Sequence, residues 1–440
     1  MSKLFAAFGE AELPCPIGTP IVGWIPPERP TRMKLDPLLA NVAVLKNQEN
    51  TLVLISLDLL SLDIEDADEI RDLAAEAAGT KKENVLVGVT HNHCGPAAVE
   101  LYDAPKNHPF VAELKELLKQ AVRETYSRLE PAVLGSGFTY ENDISWNRRY
   151  ILRDGTAFAH PLVDKTEVLY AEGPIDPQVG VICVRSMEGY ALGYVVNFAC
   201  HPLFHGGERI ATANFPGVLR RELKKKENDR CVTVFLQGAA GDISHANPFD
   251  LKRTTMESVG IRLAERSYEV ALSAMYKEEI VLDATCGEAA IPKRVLTDEQ
   301  ISRAKQVLEG KDVTIEHSWH PVSSMDKKEF AARLLELKAD QEREPLMTVP
   351  LQALRIGDTA WAAVPAELFV KLGMQIKLGS RIDQTYIAAY CNGLAGYVCT
   401  PEAYEHGGYE ATPCGGSRVG VEAGEIIVNK SIHLINSFSK

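Results

Sequence analysis

The chain has 440 residues, 45% hydrophobic and 24% charged, and lacks the bias that marks disordered, collagenous or membrane-spanning sequences. Its 60 Asp and Glu against 47 Lys and Arg leave a formal net charge of -13, which sets most of the surface against a nucleic-acid backbone. The opening MSKLFAAFGEAELP has no long apolar run before a cleavage site, and no apolar segment approaches the ~18 residues that cross a bilayer, so cytoplasmic residence without a membrane anchor is expected. Nine cysteines scattered from Cys15 to Cys414, with no C-x-x-C pair, fit loop or buried thiols in a reducing compartment better than disulfides or a Cys-rich zinc module.

In chain order, residues 51–63 read as a buried strand running into a turn, and 63–79, acidic early and closed by Gly79, as a helix. Residues 84–90 are a second buried strand and 110–129 a long amphipathic helix, so the opening alternates β and α and implies a layered sheet. Short strands follow at AVLGSGFT, VGVICVRS and ALGYVVNFAC, broken by a Gly/Pro/Asp-rich connection at 172–178. CVTVFLQG (231–238) repeats the buried-strand theme and empties into AAGD, and a helix follows in TTMESVGIRLAERSYEVALSAM. Two highly charged stretches, 297–310 and 324–344, read as an exposed helical hairpin inserted between strands. Strands resume in TVPLQALRIGDTAWAAVP and TYIAAYCNG, and a helix near 421–437 closes the chain. No repeat or flexible linker interrupts this order. The expectation is one α/β domain over residues 1–440, of mixed β-sheets flanked by helices, with the insertion at 297–344.

The residues that carry chemistry cluster at strand exits. In VGVTHNHCGP, His91 and His93 stand one residue apart, and on an extended backbone side chains at i and i+2 share a face, so both imidazoles can meet one metal. The alternative is two hydrogen-bonded loop histidines. His91-Asn92-His93 spells the name of a nuclease class, but that class disperses its residues, and the charge balance here is wrong for it. Cys94 is a candidate nucleophile, although a small buried cysteine is the commoner case.

His201 follows the strand YVVNFAC and precedes Pro202, which keeps it extended and aimed off the sheet end; it is either a ligand meeting His91 or a structural histidine. In FLQGAAGDISHANP, Gly238 and Gly241 let the backbone approach a bound group, while Asp242 is placed to orient a histidine and Ser244 lies just beyond. The lysine and spacing of a phosphate-binding P-loop are absent. Glu367, past a strand and Pro365, is a helix N-terminal charge, a site residue, or both, and Asn392, Tyr397, Tyr404 and Tyr409 crowd a glycine-rich loop.

Together these segments resemble the neutral ceramidases. HNHCGP resembles their HTHSGP element, NFACHPLF...NFPG their second histidine segment, GAAGDISHANP their GDVSPN, VPAELF their VPGEF, and GYVCTPEAYEHGGYE their final YVTT-x-EEY...YE loop. LPCPIGTPIVGW resembles their opening D-I-T-P-P-x-G, and the segments keep their order from residue 14 to about 410. The resemblance implies a zinc amidohydrolase with metal ligands His91, His201, Glu367 and Tyr397. It makes His93 the general acid/base, puts Arg148 of WNRRY on the substrate carbonyl or oxyanion, and matches Asp242 and Ser244 to the carboxylate and hydroxyl of the GDVSPN element.

Nitrogen and anionic oxygen ligands suit Zn2+, whose bound water, with a pKa near ~7, attacks an amide carbonyl. The chain departs from the family pattern at Cys94 for serine, Asn214 for an acidic residue, and Arg149 and Tyr150 for Ser-Pro. It ends where ceramidases continue into an immunoglobulin-like domain and has no secretion signal, so a small soluble N-acyl substrate is expected instead of membrane ceramide. The rival readings are a zinc esterase or sugar deacetylase on the same site, and a catalytically silent ligand-binding homologue.

Overall fold

The computed structural model describes residues 2–24, 29–101, 104–160, 165–249, 254–313, 315, 327–413 and 416–439. Eight strands form the larger sheet: β1 (Phe5–Glu12), β2 (Leu39–Lys46), β3 (Thr51–Leu57), β4 (Val85–Val89), β5 (Glu130–Tyr140), β6 (Gln178–Ser186), β7 (Ala191–Phe198) and β8 (Val232–Gln237). They lie in the order β8-β7-β6-β5-β1-β2-β3-β4. The pairs β3/β4 and β7/β8 are parallel and the others antiparallel. A second sheet, ordered β9 (Leu282–Pro292), β10 (Leu346–Ile356), β11 (Thr359–Val364) and β12 (Gln384–Ala389), is antiparallel except for β11/β12.

Each parallel pair needs a crossover, and each crossover is a helix. Among α1 (Ile64–Ala78), α2 (His108–Tyr126), α3 (Asn214–Lys226), α4 (Met256–Ser273), α5 (Asp298–Leu308), α6 (Lys327–Arg343), α7 (Val370–Gly379) and α8 (Ala423–Asn436), α1 joins β3 to β4, α3 joins β7 to β8 and α7 joins β11 to β12. Open α/β sheets bind ligands beyond the carboxyl ends of such strands. The segments after β4, β7, β8, β11 and β12 are those carrying His91, His201, Asp242, Glu367 and Tyr390.

Two-residue alternation builds the layers. In β3, Leu52 and Leu54 face an inner core with Trp361 and Tyr386, while Val53, Ile55 and Leu57 face the outer core with Ala67, Ile70 and Ala74 of α1. Full burial of each such aliphatic side chain contributes roughly 1.5–3 kcal/mol. A third core joins β6–β8 to α3 and α4 through Val196, Phe198, Phe215, Leu219 and Leu263. The larger sheet curls until its ends meet: Ser56 Oγ donates to the Phe235 carbonyl, and Gln237 Nε2 donates to the Thr90 carbonyl at 3.2 Å. The chain leaving β12 then covers the open side of β4, with Asn392 N donating to Val87 O at 2.7 Å and Asn392 Oδ1 accepting from Val87 N at 3.1 Å.

Helices α5 and α6 pack on each other through Ala304, Val307, Phe330 and Leu334, with Tyr409 against the same cluster. The connection at 314 and 316–326 and the first residues of the stretch read from sequence as 324–344 lie outside the described residues. Every described cysteine is a free thiol, and no described helix is long and apolar enough to cross a membrane.

At the exit of β3, buried Asp58 is gripped by both terminal nitrogens of Arg220 and accepts from Leu39 N at 2.8 Å. This pair fixes the turn that continues to Leu60. Removing one member of a buried pair strands the other's charge, so Arg220→Ala is expected to lower stability by about 3–5 kcal/mol. Urea unfolding of the two proteins measures it, and a loss under about 1 kcal/mol would contradict the assignment.

Candidate metal centre

Strand β4 ends at Val89, two residues before the first site histidine, and His91 itself has φ of 61°, in the left-handed region. His91 and His93 therefore do not converge by strand alternation, as the sequence suggested. They converge because the loop turns, tied by Thr90 N to Leu57 O at 2.8 Å and Asn92 N to Leu59 O at 2.9 Å. His201 stands beyond β7, its backbone bridged to Ser244, and Glu367 beyond β11, paired in register with Tyr397. Gly241 lets these last two segments touch, since a Cβ there would lie 2.5 Å from the Glu367 carbonyl oxygen.

All three imidazoles are held the same way. His91 Nδ1 lies 2.9 Å from Leu60 O, His93 Nδ1 2.5 Å from Gly23 O, and His201 Nδ1 2.6 Å from Ala240 O. A carbonyl oxygen only accepts, so each Nδ1 carries a proton and each ring, when neutral, presents an Nε2 lone pair. These lone pairs face one another: His93 Nε2 is 3.3 Å from His91 Nε2. Glu367 Oε2 lies 3.3 Å from His91 Nε2 and 3.4 Å from His201 Nε2. Buried His201 Nε2 and Glu367 Oε2 have no hydrogen-bond partner. Acceptors gathered without a donor are what a bound cation satisfies.

Electrostatics points the same way. Burial, reinforced by His91 and His201, holds His93 well below the usual imidazole range, and burial with Arg148 nearby holds His201 down at about 3. His93 and His201 are thus neutral near pH 7, as metal-ligating imidazoles must be. Burial and then Glu367 push the Tyr397 phenol well above its ordinary value, with Arg148 acting against them.

The rest of the predicted set divides. A cavity of about 100 Å³ is lined by His91, His93, Glu367, Tyr397 and Tyr409 at the centre, and by Asp63, Glu100, Leu101, Leu394 and Arg418 among others. Arg148 does not line it. Its Nη2 donates to Tyr397 Oη at 3.0 Å and to Gly241 O at 2.8 Å, and its Nε to Glu410 at 2.7 Å, so it reaches the cavity only through the tyrosine it contacts. Asp242 touches no imidazole; it accepts from Val370 N, the first residue of α7, and from Asn147 Nδ2, both at 2.8 Å. Ser244 Oγ accepts from Ala246 N at 3.2 Å, a turn contact.

Sequence reasoning missed two groups. Tyr390 follows β12 as the other site residues follow their strands, stacks on His91 at 4.2 Å between ring centroids, and its buried hydroxyl has no hydrogen-bond partner. Glu410, fully buried, bridges Arg148 and Arg149, and only its adjacency to Tyr409 hinted at it.

No protein-family model matches the sequence, and no curated protein does. Two solved structures superpose on the whole chain. Neutral ceramidase from Pseudomonas aeruginosa is 18% identical, with a TM-score of 0.72 over 100% of this chain and 75% of that one. A ceramidase complexed with C2 is also 18% identical, with a TM-score of 0.73 over 100% of this chain and 76% of that one. The protein has a neutral ceramidase-like fold. In this ceramidase-like fold, Cys94 is buried, its thiol donates to Phe204 O at 3.5 Å, and it is pushed up to about 12, chiefly by burial.

A buried thiol held so far above neutrality is a poor nucleophile. Brief iodoacetamide treatment of the folded protein should leave Cys94 unmodified by mass spectrometry; rapid modification would restore the covalent reading. Nearby, the His245 ring stacks on Phe204 at 3.7 Å, and burial lowers it to about 4. An unfolded histidine titrates near ~6.5, so between the two values the unfolded state binds the extra proton and stability falls as pH falls. His245→Asn should flatten that acid limb by up to about 1.4 kcal/mol per pH unit in denaturant titrations of the metal-free protein. Parallel curves for the two proteins between pH 6 and 4.5 would refute it.

Proposed function

We propose that the protein is a zinc-dependent amidohydrolase that cleaves the N-acyl bond of a small, water-soluble substrate. The observation that carries the reading is the convergence of three imidazole Nε2 atoms, with the Glu367 carboxylate set against two of them, those of His91 and His201. His91, His201, Glu367 and Tyr397 are the residues that would hold the ion, two nitrogens and two oxygens that suit zinc better than magnesium or calcium. When bound, zinc supplies Lewis acidity and a water acidified to near neutrality.

The chain's own residues supply the rest. His93, fixed by Gly23 O with its Nε2 free of a proton, is the base that takes a proton and returns it to the leaving amine nitrogen. Gly23 permits this contact, because at φ of 107° it has no Cβ, which would lie 2.7 Å from His93 Nδ1. Arg148 donates to the Tyr397 hydroxyl and steadies its anionic form; Glu410 and Gly241 O fix Arg148 in turn. The solved ceramidases support amide hydrolysis by analogy of fold. The cavity, about 100 Å³ against the ~300–1,000 Å³ usual for drug-sized ligands, supports a short substrate.

The purified protein should contain close to one zinc per chain by elemental analysis. His91→Ala and His201→Ala should lose it, whereas His93→Ala should retain most of the zinc and lose about 10²–10⁴-fold in turnover of a short N-acyl amine. His91, His93 and His201 also form a possible metal-holding trio, their ligand atoms all within 4.8 Å. Equal metal loss in all three variants would make His93 a ligand, and a protein that takes up no zinc would end the reading. Turnover of an ester with none of its matched amide would move the assignment to an esterase.

A further inference from the structure

Arg418 lines the cavity that holds the candidate metal centre, and the hydrolytic reading of that centre gives it no part. Its Nε donates to Ala395 O at 3.1 Å and its Nη2 to Leu394 O at 2.8 Å, so the guanidinium is braced on the segment leading to Tyr397. Neither contact neutralises it. Three buried arginines have carboxylates at hand: Arg148 and Arg149 have Glu410, and Arg220 has Asp58; buried Arg29 is held instead by the Gly206 and Glu208 carbonyl oxygens, away from this cavity wall. Arg418 has no ion-pair partner among the described residues. Asp63, Asp340 and Glu65 act on it only at longer range, and Asp63 is itself held by Lys106 at 2.8 Å. Besides Asp63, the cavity wall carries the acidic residues Glu100 and Glu367, the latter at the metal end, while Leu60, Val99, Leu101 and Leu394 are apolar.

A fixed guanidinium without a counter-ion, on the wall of a small cavity, is the donor that planar carboxylates fit. We infer that Arg418 binds a carboxylate of the substrate, so that the protein acts on acidic N-acyl compounds of the N-acyl amino acid class. The inference rests on the hydrolytic reading above. The amide lies at the metal end, beside His93, and the carboxylate at Arg418. The apolar wall takes the carbon chain between them.

The test compares N-acetylalanine with N-ethylacetamide, which has the same skeleton without the carboxylate, on the zinc-loaded full chain. The wild type should favour the acid by at least 30-fold in kcat/KM. Arg418→Gln should bring that ratio below 3-fold, and Arg418→Lys, which keeps the charge, should restore part of it. A purely structural role, bracing residues 394–395, would lower both rates together and leave the ratio unchanged; that result, or a wild-type ratio near one, overturns the inference. If neither compound is turned over, the hydrolytic reading has failed and calorimetry decides the site on its own. N-acetylalanine should then bind the wild type at least ten-fold more tightly than Arg418→Gln. Equal binding, or none to the wild type at millimolar concentration, overturns the carboxylate site as well.

Discussion

Three backbone carbonyls set the chemistry of the centre. Leu60, Gly23 and Ala240 each accept from an Nδ1, and because a carbonyl cannot donate, each fixes both the tautomer and the plane of its ring. Had these partners been hydroxyls, either tautomer would be allowed and the lone pairs could turn away. The turn beyond β3 supplies one carbonyl, the Gly23 loop another, and the turn beyond β8 the third. The precision of the site therefore derives from the sheet that anchors those turns, and Asp58 with Arg220 secures the first of them.

The two sheets contribute opposite parts. The eight-stranded sheet delivers the imidazoles, while the exits of β11 and β12 deliver Glu367, Tyr390 and Tyr397. Gathering negative groups in a buried place calls for compensation, and Arg148 provides it. Glu410 in turn balances Arg148 and Arg149, and Glu172 pairs with Arg149 on its other side. Such a chain of buried charges is held only while every member is paired, which makes it a device for fixing geometry more than a source of stability. Asp242, which by its sequence context suggested an imidazole partner, instead caps α7 and anchors Asn147, the neighbour of Arg148.

The sequence disclosed the strands whose apolar residues run unbroken, such as β3, β4 and β8, because parallel pairs covered by helices bury both faces. It was silent on β1, β2 and β9. FAAFGEAE of β1 carries two glutamates and a glycine, yet lies mid-sheet, since Gly9 leaves room for Thr125 and Arg128, atoms a Cβ would meet at 2.2 and 2.8 Å. The histidines and Glu367 were legible as polar residues placed just after buried strands, whereas Tyr397 was one of several residues in a glycine-rich loop and only the family resemblance singled it out. Arg148 was legible only through family resemblance, and its action through Tyr397 depends on a hydrogen bond that no spacing encodes. The carbonyl partners were beyond reach, because every residue type has one. Tyr390 obeyed the strand-exit rule and was passed over for the glycine-rich loop beyond it.

The order in which the centre's parts occur along the chain has a consequence during synthesis. His91 and His201 leave the ribosome well before Glu367 and Tyr397, and at ~5–20 residues per second the delay from His201 to Glu367 is on the order of ten seconds or more. Through that interval the growing polypeptide displays imidazoles without their carboxylate, a set able to pick up whichever soft divalent ion is most abundant. Glu367 beside Tyr397 joins them only once the strands around β11 and β12 have paired, so the centre is among the last parts of the chain to be completed.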